Sequence, residues 1–505
     1  MRAHFLGGIP TLTIDHARSQ SGPITPARTQ SAPGHRVRLV AGALLTAAGL
    51  GVTAALPDLA RPLFVPTAVV AVLVAAALML GGQTEHGGWA GRLGALRALL
   101  LHLAPVLLLM VAYPLAAQRI HTSVGGTPLL TLLLASSVTV PWLSQPACLP
   151  LYRAVGDLLP VREEKDLVPL ERRMVAAWPR VFVQALPSVL LFAVPLQLVF
   201  GWSAAAFGTY LALAVLHLLF VQSVVVTNVA QRRGLWALSW LVYAAALFVA
   251  PTWWFLPPVL ATTVQLWSLR NPIRALLRGS AQPERLALAR VDLRLTWADI
   301  AKGFLLGSVL WADKLLLFAT TGGRFDVDVV YLAMLPVVLA YNYYFVRLAP
   351  IFDRQVIDVR HALENESFGV LHATSRRLVD DTARALVRTA AVAALLNAGV
   401  VAILGLARPG VVALAVAVSI ASWLFMAATL LGYKLDYVGR GGVAMLLGGL
   451  HLVLVVAAFA FFPVLDAYVV MIAGESVLVA AAAAVAYSTW SSPSYTLFWR
   501  HATSW

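Results

Sequence analysis

Fourteen apolar runs of helix length follow one another along this 505-residue chain, at about 39–56, 63–82, 98–117, 129–150, 180–200, 205–228, 234–250, 254–270, 302–320, 327–350, 388–406, 411–432, 443–462 and 468–488. A bilayer's hydrocarbon core, about 30 Å thick, is crossed by roughly 20 apolar residues in an α-helix. Several runs are Ala, Leu and Val without the two-residue alternation of a barrel strand. In lipid a helix satisfies its own backbone, so these segments are predicted to be transmembrane helices. The fold class is therefore all-α: a polytopic membrane protein of about fourteen spans. Only 12% of the residues are charged and 60% are hydrophobic, roughly half the charged share of a soluble domain. No large soluble domain fits between the runs.

Charge gives an independent reading of the topology, because cytosolic loops keep Lys and Arg while short translocated loops are poor in them. With both termini placed inside, four of the 37 basic residues fall outside (Arg61, Arg119, Arg324, Arg408) and two within spans (Lys314, Arg347), which leaves 31 on the cytosolic side. Seventeen of the 23 acidic residues share that side, so its balance of +14 equals the whole net charge of the chain. The basic surplus is thus a signature of orientation, directed at lipid headgroups rather than at nucleic acid. The expected location is the inner or plasma membrane.

Residues 1–36, polar and rich in Ser, Thr and Pro, lack the early apolar run of a secretory signal and read as a disordered cytosolic tail. Two extra spans (37–90) lead into an N-terminal six-helix lobe (91–275), a cytosolic linker (276–300), a C-terminal six-helix lobe (301–490) and a cytosolic tail (491–505). The charged stretch 353–387 has helical spacing and is expected to form a surface helix on the cytosolic side. Cys148, the single cysteine, excludes an internal disulfide and any thiolate metal cluster.

A search for catalytic constellations finds no paired His ligands, no phosphate-cradling loop and no nucleophile elbow. No enzyme, cofactor or metal is expected. Ionisable groups inside spans are costly and point first to function. Asp313 and Lys314, in LLGSVLWADKLLLFATTGG, and Glu475, in VVMIAGESVLVA, are such groups. Neighbours on a helix point about 100° apart, so Asp313 and Lys314 could each face a cavity; the alternative is internal ion pairs that hold helices in register. Arg347 lies near the cytosolic end of its span and is read as a snorkelling anchor. Trp311, Tyr341, Trp142 and Trp267 are candidates to line a substrate pathway, where aromatic faces stack on sugar rings; the competing reading is an interfacial aromatic belt.

The second half resembles the Pel exopolysaccharide transporters (PelG-type) of the multidrug/oligosaccharidyl-lipid/polysaccharide flippase superfamily. The likeness runs through WADKLLLFATTGG (Trp311, Asp313, Lys314, Gly322), YFVRLAPIFDRQ (Arg347, Phe352) and YKLDYVGRGG (Tyr433, Asp436, Arg440). In the first half it rests on VPWLSQPACLPLYRAVGDLL, with Arg153 and Asp157. The chain departs from the family in its two leading spans, in Val140 where the family has Gly, in the leucines after Lys314, and in Ala349 where an acid is expected. The resemblance implies twelve core helices in two lobes, alternating access, a glycan substrate, and action beside a cytosolic glycosyltransferase and other membrane subunits. The expected function is export of a cytosolically made polysaccharide. A lipid-linked oligosaccharide flippase, a cation-coupled drug exporter of the same superfamily, or a non-transporting scaffold of a glycosyltransferase complex are the alternatives.

Overall fold

The computed structural model of the chain describes Tyr113, residues 116–117, 119–154, 167–229, 233–278, 293–324 and 326–502. The expected tail 1–36, the two leading spans of 37–90, nearly all of the run 98–117, and Asp157 lie outside the described residues. A first group of helices comprises α1 (Leu129–Ala154), α2 (Leu167–Phe200), α3 (Ala204–Val229), α4 (Arg233–Val249), α5 (Leu256–Ser268) and α6 (Arg270–Leu277). A second comprises α7 (Leu293–Thr320), α8 (Val327–Tyr343), α9 (Ala349–Asn365), α10 (Phe368–Ala407), α11 (Val412–Tyr437), α12 (Gly441–Phe461), α13 (Val464–Trp490) and α14 (Pro493–Ala502). Among the described residues eight helices, α1, α2, α3, α7, α10, α11, α12 and α13, are long and apolar enough to cross a membrane, and α4 and α8 are shorter apolar helices. Leu198, Leu241, Val453, Val469 and Val477 stand exposed on their outer faces. Large apolar side chains exposed on these helices suit lipid rather than water.

The charged stretch 353–387 is not one separate surface helix. The chain breaks at Glu366, whose backbone is extended, and α10 then runs unbroken for 40 residues. At 1.5 Å per residue that is about 60 Å, twice the hydrocarbon thickness, so one half lies beyond the apolar core. Between α8 and α9 the helix widens into a π turn at Tyr344–Leu348. Pro350 has no N–H to donate one turn back, which accommodates the wider turn there. A small hairpin precedes α1: Ser123–Val124 pairs antiparallel with Thr127–Pro128. Its turn is Gly125 and Gly126, at φ 55° and 85°, the pair of positive φ angles a two-residue hairpin of this hand requires.

The two groups meet chiefly where α7 packs on α1 and α2. Small residues make that approach possible. A Cβ on Gly303 would lie 2.6 Å from the backbone of Pro146, and one on Gly307 would lie 2.8 Å from the ring of Trp142. On the other side of α7, Gly448 of α12 leaves room for the Leu305 carbonyl. α7 is thus gripped from both sides, in the way small residues permit in membranes.

Candidate functional site

A cavity of about 260 Å³ lies between the two groups. From the first group α1 contributes Ser144, Gln145, Cys148 and Tyr152, and α3 contributes Val221, Val224 and Val225. Opposite them stand Lys302, Leu306, Leu310 and Trp311 of α7, Tyr341 of α8, Phe345 of the π turn, Tyr433 and Asp436 of α11, and Glu475 of α13. The cavity occupies the half of the bundle in which α1 and α11 end and α7 and α12 begin, referred to below as the basic end.

Two ion pairs stand at that end, and the residues of one of them line the cavity. Lys302 Nζ donates to Asp436 Oδ1 at 2.6 Å. One turn earlier on α7, Asp299 pairs with Arg153 of α1, so this bond ties the first group to the second. Asp436 has its position because α11 ends in a Gly439 turn: Gly439 adopts φ 82°, its N–H bonds to Asp436 O, and Arg440 N–H bonds back to Leu435 O. This paired closure is the αL-glycine helix ending. The next glycine matters for the same carboxylate, since a Cβ on Gly441 would come within 2.6 Å of Asp436 Oδ1. Arg440 itself is exposed.

Glu475 lines the cavity at mid-depth. Its Oε2 accepts a hydrogen bond from His451 Nδ1 of α12 at 2.8 Å, and both side chains are 1% exposed. His451 packs edge-on to Phe425, 4.9 Å between centroids, and its Nε2 has no hydrogen-bond partner.

The residues expected to line a pathway divide. Trp311, Tyr341 and Glu475 are on the cavity wall. Asp313 and Lys314 are not: they pair with each other at 2.9 Å and are 0% and 1% exposed. The four-carbon stem of lysine spans the angular gap that separates adjacent Cβ atoms. Tyr468 of α13 donates to Asp313 Oδ2 at 3.1 Å. Lys314 reaches Ser422 Oγ at 3.3 Å and lies 5.0 Å from the Phe425 ring centre. Trp142 is buried between α1 and α7, donating from Nε1 to Phe304 O at 2.7 Å and stacking on the Phe304 ring at 4.8 Å. Trp267 is 69% exposed, with the Arg270 guanidinium over its ring, an outer-surface position. Arg347 falls in the π turn; its side chain, like Asp157, lies outside the described part.

Four polar residues of this region escape the sequence reading: His451, Lys302, Asp299 and Lys434. The criterion that singles out Glu475, an ionisable group inside an apolar run, applies equally to His451 in LLGGLHLVLVV. Lys434 is 1% exposed, with its Nζ 2.8 Å from the centre of the Phe352 ring and further rings of Tyr344 and Tyr433 nearby. An ammonium in such a box is held by ring quadrupoles. Here Phe352 and Tyr433, two residues of the quoted family segments, are brought together.

Compared with known protein families, curated proteins and solved structures, the chain matches none. The residues and their geometry carry the functional reading.

Proposed function

We propose that the chain is a membrane transporter that moves a glycan outward by alternating access, with the basic end of the bundle in the cytosol. The observation that carries this reading is the cavity at the junction of the two helix groups. It combines aromatic faces (Trp311, Tyr341, Tyr152) with hydrogen-bonding and charged groups (Gln145, Glu475, Lys302, Asp436). Sugar rings present an apolar face and a rim of hydroxyls, so they need both kinds of lining. A site between two bundles that rock about it is the arrangement alternating access requires. The resemblance of the second half to exopolysaccharide transporters supports the same substrate class and a cytosolic glycosyltransferase as neighbour. Its two six-helix lobes correspond in this reading to the groups on either side of the cavity, completed by spans ahead of α1.

A volume of about 260 Å³ is below the usual range of ligand pockets. It accommodates a short glycan unit, so passage of a chain requires the two groups to move apart, releasing the Arg153–Asp299 tie. Trp311→Ala and Tyr341→Ala are expected to lower exported polysaccharide at least tenfold while membrane abundance of the protein stays within twofold. Unchanged export in the double variant would refute the reading.

A further inference from the structure

α5 finishes at the basic end of the bundle, and a single residue, Leu269, separates it from α6. Leu269 is buried, and its backbone leaves the helical track at φ −89° and ψ 6°. α6 then lies on the bundle rather than in it. None of its residues is fully buried. Ile273 and Leu276 rest on the core cluster that holds Met174, Val175 and Trp178 of α2. The other side of α6 is a stripe of cations. Arg270, Arg274 and Arg278 recur every four residues, so successive members are turned about 40° around the axis and share one face. All three are exposed, and among the described residues none of them has a carboxylate partner.

Large apolar side chains flank the stripe. Trp267 and Leu277 are both exposed, and Arg270 is held against the first, its guanidinium 5.1 Å from the ring centre and its Nη1 donating to Trp267 O at 3.2 Å. In water such a surface would leave an indole and a leucine unsatisfied beside three charges without counter-ions. At the boundary of a leaflet each part has a partner, phosphate for the charges and acyl chain for the apolar groups.

We propose that α6, with Trp267, is a binding site for anionic phospholipid headgroups in the leaflet at the basic end. The planar fork of arginine matches two phosphate oxygens at once. From Arg270 to Arg278 the stripe measures about 12 Å, room for the phosphodiesters of two neighbouring lipids, while Trp267 and Leu277 dip into the acyl boundary beside them. Position favours a lipid over a soluble anion: α6 continues from α5, which packs on the membrane-length helix α3. A separate element marks the headgroup level at the same end. α14, which follows α13 there, exposes Tyr495, Phe498 and Trp499, aromatic side chains of the kind that gather at that level. A lipid held by α6 anchors the basic end of α2, against which α6 packs. The site stands apart from the transport reading.

The test is native mass spectrometry of the purified full chain in detergent with phosphatidylglycerol added, phosphatidylcholine serving as the neutral reference. The wild type should retain phosphatidylglycerol in preference. Arg270→Gln, Arg274→Gln and Arg278→Gln combined should weaken phosphatidylglycerol binding by roughly tenfold or more and leave phosphatidylcholine within about twofold. Arg360→Gln, Arg376→Gln and Arg377→Gln combined remove the same charge from exposed positions on α9 and α10 and should leave phosphatidylglycerol binding as it is. Excess inorganic phosphate should not displace the lipid, because it has nothing to offer Trp267 and Leu277. No preference in the wild type, unchanged binding in the α6 variant, or equal loss in both triple variants overturns the proposal. Displacement by phosphate does so too, by assigning the stripe to a soluble anion. Should the α6 triple variant fail to fold, Arg274→Gln alone decides, with an expected weakening of about twofold or more.

Discussion

At the scale of single residues, burial decides which charges hold the fold together and which can do something else. Asp313 and Lys314 satisfy each other in a sealed core, with Tyr468 and Ser422 completing the cluster. Removing one partner of such a pair leaves an uncompensated buried charge, a loss of about 3–5 kcal/mol, while removing both is close to neutral. Asp313→Asn and Lys314→Met are accordingly expected to reduce membrane abundance singly, and the double variant to recover it; quantitative immunoblots of membrane fractions check this. Asp353 in α9 offers a pH-dependent counterpart outside the spans. Burial pushes its carboxyl up to about 6, partly opposed by Lys434, and its Oδ1 has no hydrogen-bond partner. A folded-state pKa above the unfolded one means that the folded state binds the extra proton between about pH 4 and 6. Stability of this region therefore falls as pH rises through that window, and the cost is fully present above it. Amide-exchange protection in α9, after the pH dependence of intrinsic exchange is divided out, should be greater at pH 5 than at pH 7 by an amount on the order of 1 kcal/mol, and Asp353→Asn should remove the difference. Such pairings are hard to read in advance: Lys302 and Asp436, or Arg153 and Asp299, are more than a hundred residues apart, and no local pattern marks them as partners.

At the scale of elements, most of the architecture was legible because lipid imposes a coarse rule. A run of some twenty apolar residues closes into a helix, and each run from 129 onward overlaps a helix, although that at 254–270 meets only the short α5 and that at 327–350 is divided over α8, the π turn and α9. What was less legible depends on a few residues. The Gly125–Gly126 hairpin needs two positive φ angles that any loop glycine could supply. The continuity of α10 hides a change from polar to apolar surface within one helix. The π turn before Pro350 follows from a missing N–H but brings Phe345 and Tyr341 onto the cavity, which periodicity does not foretell. The closest helix contact also rests on single glycines. Gly303→Ala places a methyl group against the Pro146 backbone and is expected to cost roughly 1–3 kcal/mol as overpacking. Gly449→Ala meets nothing within 4 Å and should be neutral or slightly stabilising through helix propensity. Thermal melting in detergent distinguishes the two.

For the whole molecule, the account joins a cavity between two helix groups to an ion-paired end that must open. The aromatic and charged residue types of the site were legible in the sequence. Which of them share one cavity was not, because that depends on how α7 is clamped between α1 and α12. Cys148, the chain's single cysteine, lines the cavity at 6% exposure and makes a direct probe of whether this space is a pathway. A membrane-impermeant maleimide should label Cys148 from the cytosolic face of sealed vesicles, and Arg153→Ala, which unties that end, should speed that labelling at least tenfold. A Cys148 that reacts after denaturation but stays inert from both faces of the folded protein, in wild type and Arg153→Ala alike, would contradict the account and reduce the cavity to a packing void.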